Sequence, residues 1–543
     1  MEPGLLNGTP REDSIDMARN TLVKGSAVDA AIATLLCLGV VHPQSLGLGG
    51  GFLMTVYNRD TGTSQVIDAR ETAPLASSED MFAENPDLAK MGGISVAVPG
   101  QVRGLWEAHQ RYGKLPWRDL FQPAVRLAEE GICIGKHLAI AMRVRKDHIL
   151  DRKYGLCDVF CDEYGAMLRE NRTVRRPQLA KTLLAVANGG ADAFYTGEIA
   201  EDLVKDIQHN GCGLNPSARD GVYSEVLVYH RMFVALKFSS AHGLSLGDPN
   251  FVNVEALTKR MVSKDFADEL RHKIDDTRTF DRSYYGPTMA IPDISGTSHV
   301  SVLGPNGDAV SVTSSIGRYF GARFRSLSTG IILNNHMELF TLARKNKTRH
   351  SSRPGISNLK LNDHETVYQP IHPDQSNHKS ICREMADTNL SFNAIHVIRL
   401  VGVLFHCFPG DTVQPGKRSR SVMSPTIVLD DSGDVRLVIG GSGGNKLMTA
   451  LADATVHHLL LSMNISAAIE KPRLHLTVDT GVAKLDYESR RPFKPKAVLH
   501  QLAKMHGEVT PEWHQAMVQA VARENSAIFA HSDSRKGGFP AGF

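Results

Sequence analysis

Two short runs of alternating polar and apolar residues constrain this chain more than any other local feature. They are His299-Val-Ser-Val-Leu303 and Ala309-Val-Ser-Val-Thr313, and Asn306-Gly307 lies between them. Alternation with a period of two places successive side chains on opposite faces of a strand, and Asn-Gly readily adopts the positive φ angles of a tight hairpin turn. The sequence therefore predicts an antiparallel hairpin whose first strand is opened by Thr297.

The region before the hairpin alternates between helical and strand-like patterns. Small and apolar residues over 25–41 predict a buried helix, and the cluster Gly47-Leu-Gly-Gly-Gly51 leads into a strand over residues 52–57 that returns over 64–68. Helical periodicity also appears over residues 105–131, with breaks at Gly113 and Pro116, and over residues 178–189. The mixture predicts a fold with both helices and sheets.

A second glycine-rich segment follows the hairpin. An apolar run over residues 434–439 leads into Gly440-Gly-Ser-Gly-Gly444 and then into a helical pattern over residues 446–463. Such a strand, glycine loop and helix start present several backbone N–H groups to an anion. A phosphate loop would end in Gly-Lys-Ser/Thr, but Asn445-Lys446-Leu447 stands there, so the pattern does not indicate nucleotide binding.

Thr297 is the hairpin residue that could carry covalent chemistry. A threonine that becomes the first residue of a chain can use its own α-amine to accept the hydroxyl proton, which makes it a nucleophile. This requires cleavage of the peptide bond after Gly296, a small residue that lets the hydroxyl reach back to the carbonyl carbon. On local pattern alone, a plain strand threonine is the alternative interpretation.

Charge and hydropathy restrict the class of protein. The 543 residues carry a formal net charge of +3, which gives no support to nucleic-acid binding. No apolar run is long enough for a transmembrane helix, and residues 1–16 lack the basic flank and apolar stretch of a signal peptide. Cys157 and Cys161 are either two half-buried thiols or a short-range disulfide, which would indicate an oxidising compartment.

Several short segments occur in a fixed order along the chain. Besides the two glycine clusters, they are Gly25-Ser-Ala-Val-Asp-Ala-Ala31, Asp68-Ala-Arg-Glu-Thr-Ala-Pro74, Ser95-Val-Ala-Val-Pro-Gly100, Gly296-Thr-Ser-His299, Gln414-Pro-Gly416, Met423-Ser-Pro-Thr426 and Ser532-Asp-Ser-Arg-Lys-Gly-Gly538. Together these segments resemble the γ-glutamyltransferase family, over roughly residues 22–340 and 413–543. So many motifs in the same order make a chance resemblance very improbable.

The resemblance implies an α+β fold, the four-layer αββα sandwich of N-terminal-nucleophile hydrolases. The precursor would cleave itself between Gly296 and Thr297. A polar segment 1–21 would precede a large subunit 22–296 and a small subunit 297–543. The implied activity is γ-glutamyl hydrolysis and transfer, acting on glutathione and other γ-glutamyl amides through a threonine-bound γ-glutamyl ester. Amino acids or dipeptides would be acceptors, and no metal or organic cofactor is implied.

The same resemblance implies roles for single residues near the nucleophile. Thr297 would attack the γ-amide carbonyl, and the N–H groups of Gly443 and Gly444 would hold the oxyanion. Ser315 matches a family threonine that hydrogen-bonds the nucleophile. Ser421 matches one of a pair of serines near the substrate carboxylate.

Arg70 resembles the family residue that grips the substrate α-carboxylate, where a planar guanidinium makes two parallel bonds. The alternative for Arg70 is a surface ion pair with Glu71.

Four positions depart from the family pattern. Gly317 stands in place of an asparagine, His336 in place of Glu or Gln, and Val422 in place of the second serine. Leu339 replaces an aspartate that pairs with the substrate α-amino group, a loss expected to weaken glutamyl binding by several kcal/mol. Glu338, one residue away, is a candidate substitute if its loop shifts.

Two segments also differ in length. The stretch between Asp220 and Leu236 is shorter than in the family, which is expected to expose apolar surface and strand edges. Residues 341–411 replace a shorter family segment with an atypical polar insertion that resembles a long loop. These departures leave two alternatives open: a catalytically inactive scaffold or binding protein, and an acylase for a dicarboxylic donor such as glutaryl.

The resemblance places the protein at the extracellular face of the plasma membrane or among secreted proteins, although no signal or anchor is visible in the sequence. A glycoprotein is expected on the same grounds. The acceptor pattern Asn-x-Ser/Thr occurs at Asn7, Asn171, Asn346, Asn389 and Asn464.

Overall fold

The computed structural model describes most of the chain, apart from both ends and several internal segments. The described residues are 24–209, 226–243, 246–275, 278–280, 282–285, 296–342, 412–419, 421–479, 482–488, 496–506, 509–512, 516–524, 527–536, 538 and 540. The N-terminal segment 1–21, residues 343–411 of the predicted insertion, and the acceptor sites Asn7, Asn346 and Asn389 lie outside the described residues.

The strands fall into two large sheets and two small ones. They are β1 (Gly51–Asn58), β2 (Thr63–Ala69), β3 (Ile132–Cys133), β4 (Thr173–Val174), β5 (Gly296–Leu303), β6 (Ala309–Gly317), β7 (Thr426–Leu429), β8 (Val435–Ser442), β9 (Leu474–Asp479), β10 (Val482–Glu488), β11 (Val509–Glu512), β12 (Met517–Glu524) and β13 (Ala527–Ser532).

The α-helices occur mainly before β5 and after β8. They are α1 (Ala27–Val41), α2 (Gln101–Tyr112), α3 (Trp117–Glu130), α4 (Lys136–Val144), α5 (Lys146–Leu150), α6 (Cys157–Phe160), α7 (Pro177–Gly189), α8 (Asp192–Tyr195), α9 (Glu198–His209), α10 (Val226–Gly243), α11 (Glu255–Met261), α12 (Lys264–His272), α13 (Arg282–Tyr285), α14 (Leu447–Leu459), α15 (Ile465–Glu470) and α16 (Lys496–His506). Short 3₁₀ helices cover Pro86–Lys90, Gly93–Ser95, Arg152–Tyr154, His336–Leu339 and Gly444–Lys446.

The first large sheet has the order β2-β1-β6-β5, and all its neighbouring strands are antiparallel. Its last two strands are the predicted hairpin, in which Val300 is the register partner of Val312. The hairpin, the strands predicted over 52–57 and 64–68, and the helices predicted over 25–41, 105–131 and 178–189 are confirmed, with boundaries within a few residues.

Helix α1 begins at a capping box, which explains its position. The Ser26 hydroxyl accepts a hydrogen bond from the Asp29 N–H, and the Asp29 carboxylate accepts one from the Ser26 N–H at 2.8 Å. The same buried carboxylate accepts the N–H of Lys114 at 2.9 Å, which fixes α1 to the turn between α2 and α3. These helices and α7 bury their apolar sides against the first sheet in one large core.

The second large sheet has the order β13-β12-β8-β7 and carries α14 and α15 on its outer face, where they share a core with it. Between the two sheets, a smaller core contains Tyr57, Ala309, Val435 and Val438. The Ser311 hydroxyl in β6 also donates a hydrogen bond of 3.0 Å to the carbonyl of Ile439 in β8. Helices, two stacked sheets and helices therefore form the predicted four-layer αββα sandwich.

The shortened stretch between Asp220 and Leu236 was expected to expose apolar surface, but the part of it that the structure describes contains buried apolar side chains. From Val226 onwards the chain is helical, and Tyr229 and Phe233 of α10 are buried against β9, β10 and α16. Tyr229 and Phe233, which lie within the shortened stretch, are therefore covered rather than exposed. Residues 210–225 are outside the described ranges.

The structure joins Cys157 and Cys161 by a disulfide, with 4.8 Å between their Cα atoms. The interpretation as two free thiols is therefore wrong. No helix among the described residues combines the length and apolar character needed to cross a lipid bilayer.

Candidate active site

The hairpin brings Thr297 and Ser315 together at one end of the first sheet. The two residues are register partners, and the pairing shifts between Gly296 and Thr297. The buried Thr297 hydroxyl donates a hydrogen bond of 3.1 Å to the Ser315 hydroxyl oxygen. The irregularity in the ladder therefore lies at the peptide bond that was predicted to be cleaved.

Ser315 also contacts the carbonyl group of that peptide bond. Its hydroxyl donates 2.8 Å to the Gly296 carbonyl oxygen and accepts the N–H of Gly317 at 2.9 Å. A β-carbon on Gly296 would lie 2.4 Å from the carbonyl oxygen of Arg318, so only glycine fits there. One hydroxyl thus contacts both the candidate nucleophile and the carbonyl that it would attack.

A buried imidazole and carboxylate extend this chain of contacts away from Thr297. The His336 Nε2 atom lies 3.4 Å from the Ser315 hydroxyl oxygen, and its Nδ1 atom lies 2.7 Å from Oε1 of Glu71. The distance between Nδ1 and Oε1 is short, but the two atoms are not aligned as a hydrogen bond requires. Burial alone would raise the pKa of Glu71, but His336 and Arg70 hold it below its ordinary value.

Arg70 lies at the far end of the same chain and is buried. Its Nε atom lies 3.3 Å from Oε2 of Glu71, and a terminal nitrogen donates a hydrogen bond of 3.0 Å to the Ser419 hydroxyl. The ion pair with Glu71 therefore exists, but it is not at the surface as the alternative interpretation assumed. Ser421, two residues after Ser419, is also buried, and its hydroxyl accepts a hydrogen bond of 3.1 Å from the N–H of Met423.

The glycine-rich loop lies on the second sheet, next to the start of β5. Gly440 and Gly441 belong to β8, so the strand runs further than predicted and the turn itself begins at Gly443. A β-carbon on Gly440 would lie 2.2 Å from the His299 ring, which shows how closely the two sheets approach. Gly443 has a φ angle of +129°, and a β-carbon there would lie 2.4 Å from the Ala516 Cα.

Lys536 joins this loop to the candidate nucleophile. Its buried amino group donates 2.5 Å to the Thr297 carbonyl oxygen and 3.0 Å to the hydroxyl of Ser442, the residue before Gly443. Burial lowers the pKa of Lys536 to about 7, and the Asp533 carboxylate opposes this shift. Burial, with a smaller contribution from Lys536, lowers the pKa of His299 to about 3, so His299 is a neutral packing residue.

The four departures from the family pattern all lie in buried surroundings. Gly317 has a φ angle of +93°, and a β-carbon there would lie 2.2 Å from the amide oxygen of Asn335, which fills that space. Leu339 and Val422 are buried, and His336 has the contacts described above.

Glu338, the candidate substitute for the missing aspartate, is already engaged. Both of its carboxylate oxygens accept hydrogen bonds of 2.6 Å from the Arg318 guanidinium, and one also accepts the Asn335 amide. A substrate ammonium would have to compete with a bidentate ion pair in which the Glu338 side chain is 7% exposed.

Sequence reasoning missed three contributors to this site: Ser419, Lys536 and the Glu71–His336 pair. Glu71 was considered only as a surface partner of Arg70, and His336 only as a departure. Only the positions of these residues in the sequence could have indicated a role. Ser419 lies two residues before Ser421, and Lys536 lies within the C-terminal motif that resembles the family. In the described part of the chain, no three His, Cys, Asp or Glu side chains are grouped so as to hold a metal ion.

Comparison with known proteins gives consistent matches in sequence. A sequence profile of the family described as Gamma-glutamyltranspeptidase matches residues 16–217, 215–360 and 398–543. Scoloptoxin SSD14 from Scolopendra dehaani is 34% identical over 568 residues, which cover 95% of this chain and 88% of that protein. Glutathione hydrolase 5 proenzyme from Homo sapiens is 31% identical over 575 residues, which cover 96% and 89% of the two chains.

Comparison of structures supports the layer arrangement. The crystal structure of a cephalosporin acylase from Bacillus halodurans matches with a TM-score of 0.70 over 97% of this chain and 92% of that chain. The sequence identity is 19%, so this likeness concerns the fold alone.

Proposed function

Because the chain belongs to the γ-glutamyltranspeptidase family, we propose that it hydrolyses and transfers the γ-glutamyl group of glutathione and related amides, with Thr297 as nucleophile. The observation that carries the proposal is the hydrogen bond from the Thr297 hydroxyl to Ser315 beside the Gly296 carbonyl. It supports the proposal, because one side chain contacts both the proposed nucleophile and the carbonyl of the bond that would be cut.

Self-cleavage would separate residues up to Gly296 from residues 297–543 and free the α-amine of Thr297. That amine then serves as general base when the hydroxyl attacks the γ-amide carbonyl. The word proenzyme in the name of the human relative supports a matured form. Water would release glutamate from the threonine ester, and amino acids or dipeptides would accept the γ-glutamyl group in transfer.

The remaining roles follow from position. The N–H groups of Gly443 and Gly444 would stabilise the oxyanion, since Lys536 ties the preceding residue, Ser442, to the Thr297 carbonyl. Arg70 would bind the donor α-carboxylate, with Ser419 and Ser421 on the neighbouring segment.

An extracellular site of action is proposed on two grounds. The Cys157–Cys161 disulfide suits an oxidising compartment. The acceptor asparagines Asn171 and Asn464 are exposed, as glycosylation requires. A shift in mass after enzymatic deglycosylation of the protein from its natural source would test this proposal.

The decisive experiment combines intact mass with a chromogenic γ-glutamyl anilide. Wild type should split after Gly296 and release the anilide, whereas Thr297→Ala should do neither. Thr297→Ser is the matched control, because it keeps a hydroxyl and should retain part of both reactions. An uncut, inactive wild type would favour the inactive scaffold. That alternative draws on the buried Leu339 and the engaged Glu338.

A further inference from the structure

Self-cleavage needs a proton acceptor that the mature enzyme does not need. In the uncut chain the Thr297 nitrogen belongs to the peptide bond with Gly296, and its lone pair is delocalised into the carbonyl. The α-amine base of the mature enzyme therefore does not yet exist. Some other group must take the Thr297 hydroxyl proton when the oxygen attacks the Gly296 carbonyl carbon.

We propose that His336, held by Glu71, accepts this proton through Ser315 and thereby promotes cleavage of the precursor. The inference rests on the proposed function, because it assumes cleavage between Gly296 and Thr297. His336 is a positioning residue in this scheme, since it acts through the Ser315 hydroxyl.

Close contacts lead from the carboxylate to the proposed nucleophile, and the first of them is a short charge contact rather than a hydrogen bond. Oε1 of Glu71 lies 2.7 Å from Nδ1 of His336, whose Nε2 lies 3.4 Å from the Ser315 oxygen. That oxygen lies 3.1 Å from the Thr297 hydroxyl. The negative charge of Glu71 beside Nδ1 would stabilise a proton there, and this tautomer would leave the lone pair of Nε2 on the side of Ser315, as a proton acceptor requires.

The proton movements balance. The Thr297 hydroxyl proton passes to the Ser315 oxygen while the Ser315 proton, turned away from the Gly296 carbonyl, passes to Nε2. The Thr297 oxygen bonds to the Gly296 carbon. When the carbon–nitrogen bond breaks, the proton returns through Ser315 to the Thr297 nitrogen. Water then hydrolyses the resulting ester, giving a carboxylate on Gly296 and a free threonine.

Burial makes this arrangement effective. The side chains of His336 and Glu71 are 2% and 0% exposed, so water does not screen the attraction between the carboxylate and a proton taken up by the imidazole. Lys536 is less well placed for this task, because its amino group donates to the Thr297 carbonyl oxygen and to Ser442. Its contacts hold the backbone, whereas those of His336 lead to the hydroxyl.

Charged groups on the elements packed around His336 are mostly paired. Arg70, just after β2, contacts Glu71, and Arg318, just after β6, contacts Glu338 in the 3₁₀ helix of His336. The neighbouring 3₁₀ helix Pro86–Lys90 carries an ion pair between Lys90 and Asp87.

The test follows cleavage of the full-length chain after a pulse of cell-free synthesis, at a series of pH values. His336→Gln keeps a polar group of similar size that cannot take up the proton. It should slow cleavage about a hundredfold, the usual contribution of acid–base catalysis. If the imidazole is the proton acceptor, wild type should cleave more slowly as the pH falls, and this variant should lose that dependence.

Two further variants separate the relay from a loss of structure. Glu71→Gln keeps an acceptor near Nδ1 but not the charge, so cleavage should slow and its decline should move to more acidic pH. His475→Gln is the matched control, because it removes an equally buried imidazole, one bonded to Thr449. It should cleave at close to the wild-type rate.

The outcomes distinguish failure of the relay from failure of the proposed function. Cleavage of His336→Gln with the wild-type rate and pH profile would overturn the relay and leave the proposed function standing. Equal slowing in His475→Gln would also overturn it, because the loss would then be general. A wild type that never cleaves would overturn the proposed function and the relay together.

Discussion

The amino group of Lys536 lies 2.5 Å from the carbonyl oxygen of Thr297, which ties the C-terminal region to the first residue of the proposed small subunit. The same group contacts Ser442 immediately before the glycine turn. A single buried side chain thus links the proposed nucleophile to the residue before the proposed oxyanion donors.

Replacing Lys536 by methionine should impair activity. The side chain keeps its approximate volume but loses both hydrogen bonds, each of which contributes about 0.5–1.5 kcal/mol. We expect kcat/KM for a γ-glutamyl anilide to fall by roughly tenfold to a hundredfold. Unchanged kcat/KM in fully cleaved protein would show that the loop is positioned by other contacts.

The lowered pKa of Lys536 also predicts a pH dependence of stability. In the unfolded chain Lys536 has its ordinary pKa of 10.5, whereas in the folded chain burial lowers this pKa to about 7. Between these values the unfolded state binds more protons, so the free energy of unfolding should rise with pH. Thermal unfolding of wild type and Lys536→Met at pH 6.5 and pH 9.5 checks this. The stability of wild type relative to the variant should increase at the higher pH.

Ser315→Ala should slow both cleavage and turnover. It removes the acceptor for the Thr297 hydroxyl and leaves the Gly317 N–H without its partner, at a cost of about 1–3 kcal/mol. Ser315→Thr, which restores the hydroxyl, should behave like wild type. Ser314→Ala is the adjacent control, since the Ser314 hydroxyl bonds to Gln101. Equal effects at positions 314 and 315 would contradict a specific role for Ser315.

Local patterns were sufficient to predict the hairpin and the first helices. Asn306-Gly307 and the strict alternation on either side favour one local structure, a two-stranded hairpin. The apolar segment 25–41 ends at His42-Pro43, which marks the end of the first helix. The Gly440 cluster was harder, because strand β8 continues through two glycines. Those glycines are required by close contacts such as Gly440 with His299, which involve residues far apart in sequence.

The candidate site was predicted only where one residue type has a recognisable chemical role. Thr297, Ser315 and Arg70 followed from family motifs, but the contacts that link them did not. Glu71 and His336 are 265 positions apart (336 − 71) and meet only because the 3₁₀ helix folds back on the end of β2. No spacing rule in the sequence records such a contact.

Gly443→Ala should abolish most activity. Its φ angle of +129° disfavours any side chain, and the added methyl group would press on Ala516, so the turn must move. Loss of one oxyanion donor reduces kcat by about a hundredfold to a thousandfold, and we expect the same loss when the N–H of residue 443 is displaced. Gly416→Ala is the control, because it has φ +74° but no atom within 4 Å of the added carbon. Comparable losses in both variants would point to backbone strain alone.

The buried Leu339 predicts weak selection for the α-amino group of the donor. Glu338 is occupied by Arg318, and Leu339 offers no charge, so a γ-glutamyl amide and a glutaryl amide should be hydrolysed with similar kcat/KM. Leu339→Asp should raise kcat/KM for the γ-glutamyl amide by about tenfold to a hundredfold, the value of a hydrogen bond to a charged group. The glutaryl amide should not benefit. Leu339→Asn introduces a side chain of the same shape as aspartate but without the charge, so its gain in kcat/KM for the γ-glutamyl amide should be smaller. A strong γ-glutamyl preference in wild type would mean that another group receives the ammonium, and Glu338→Gln would then be the variant that removes it.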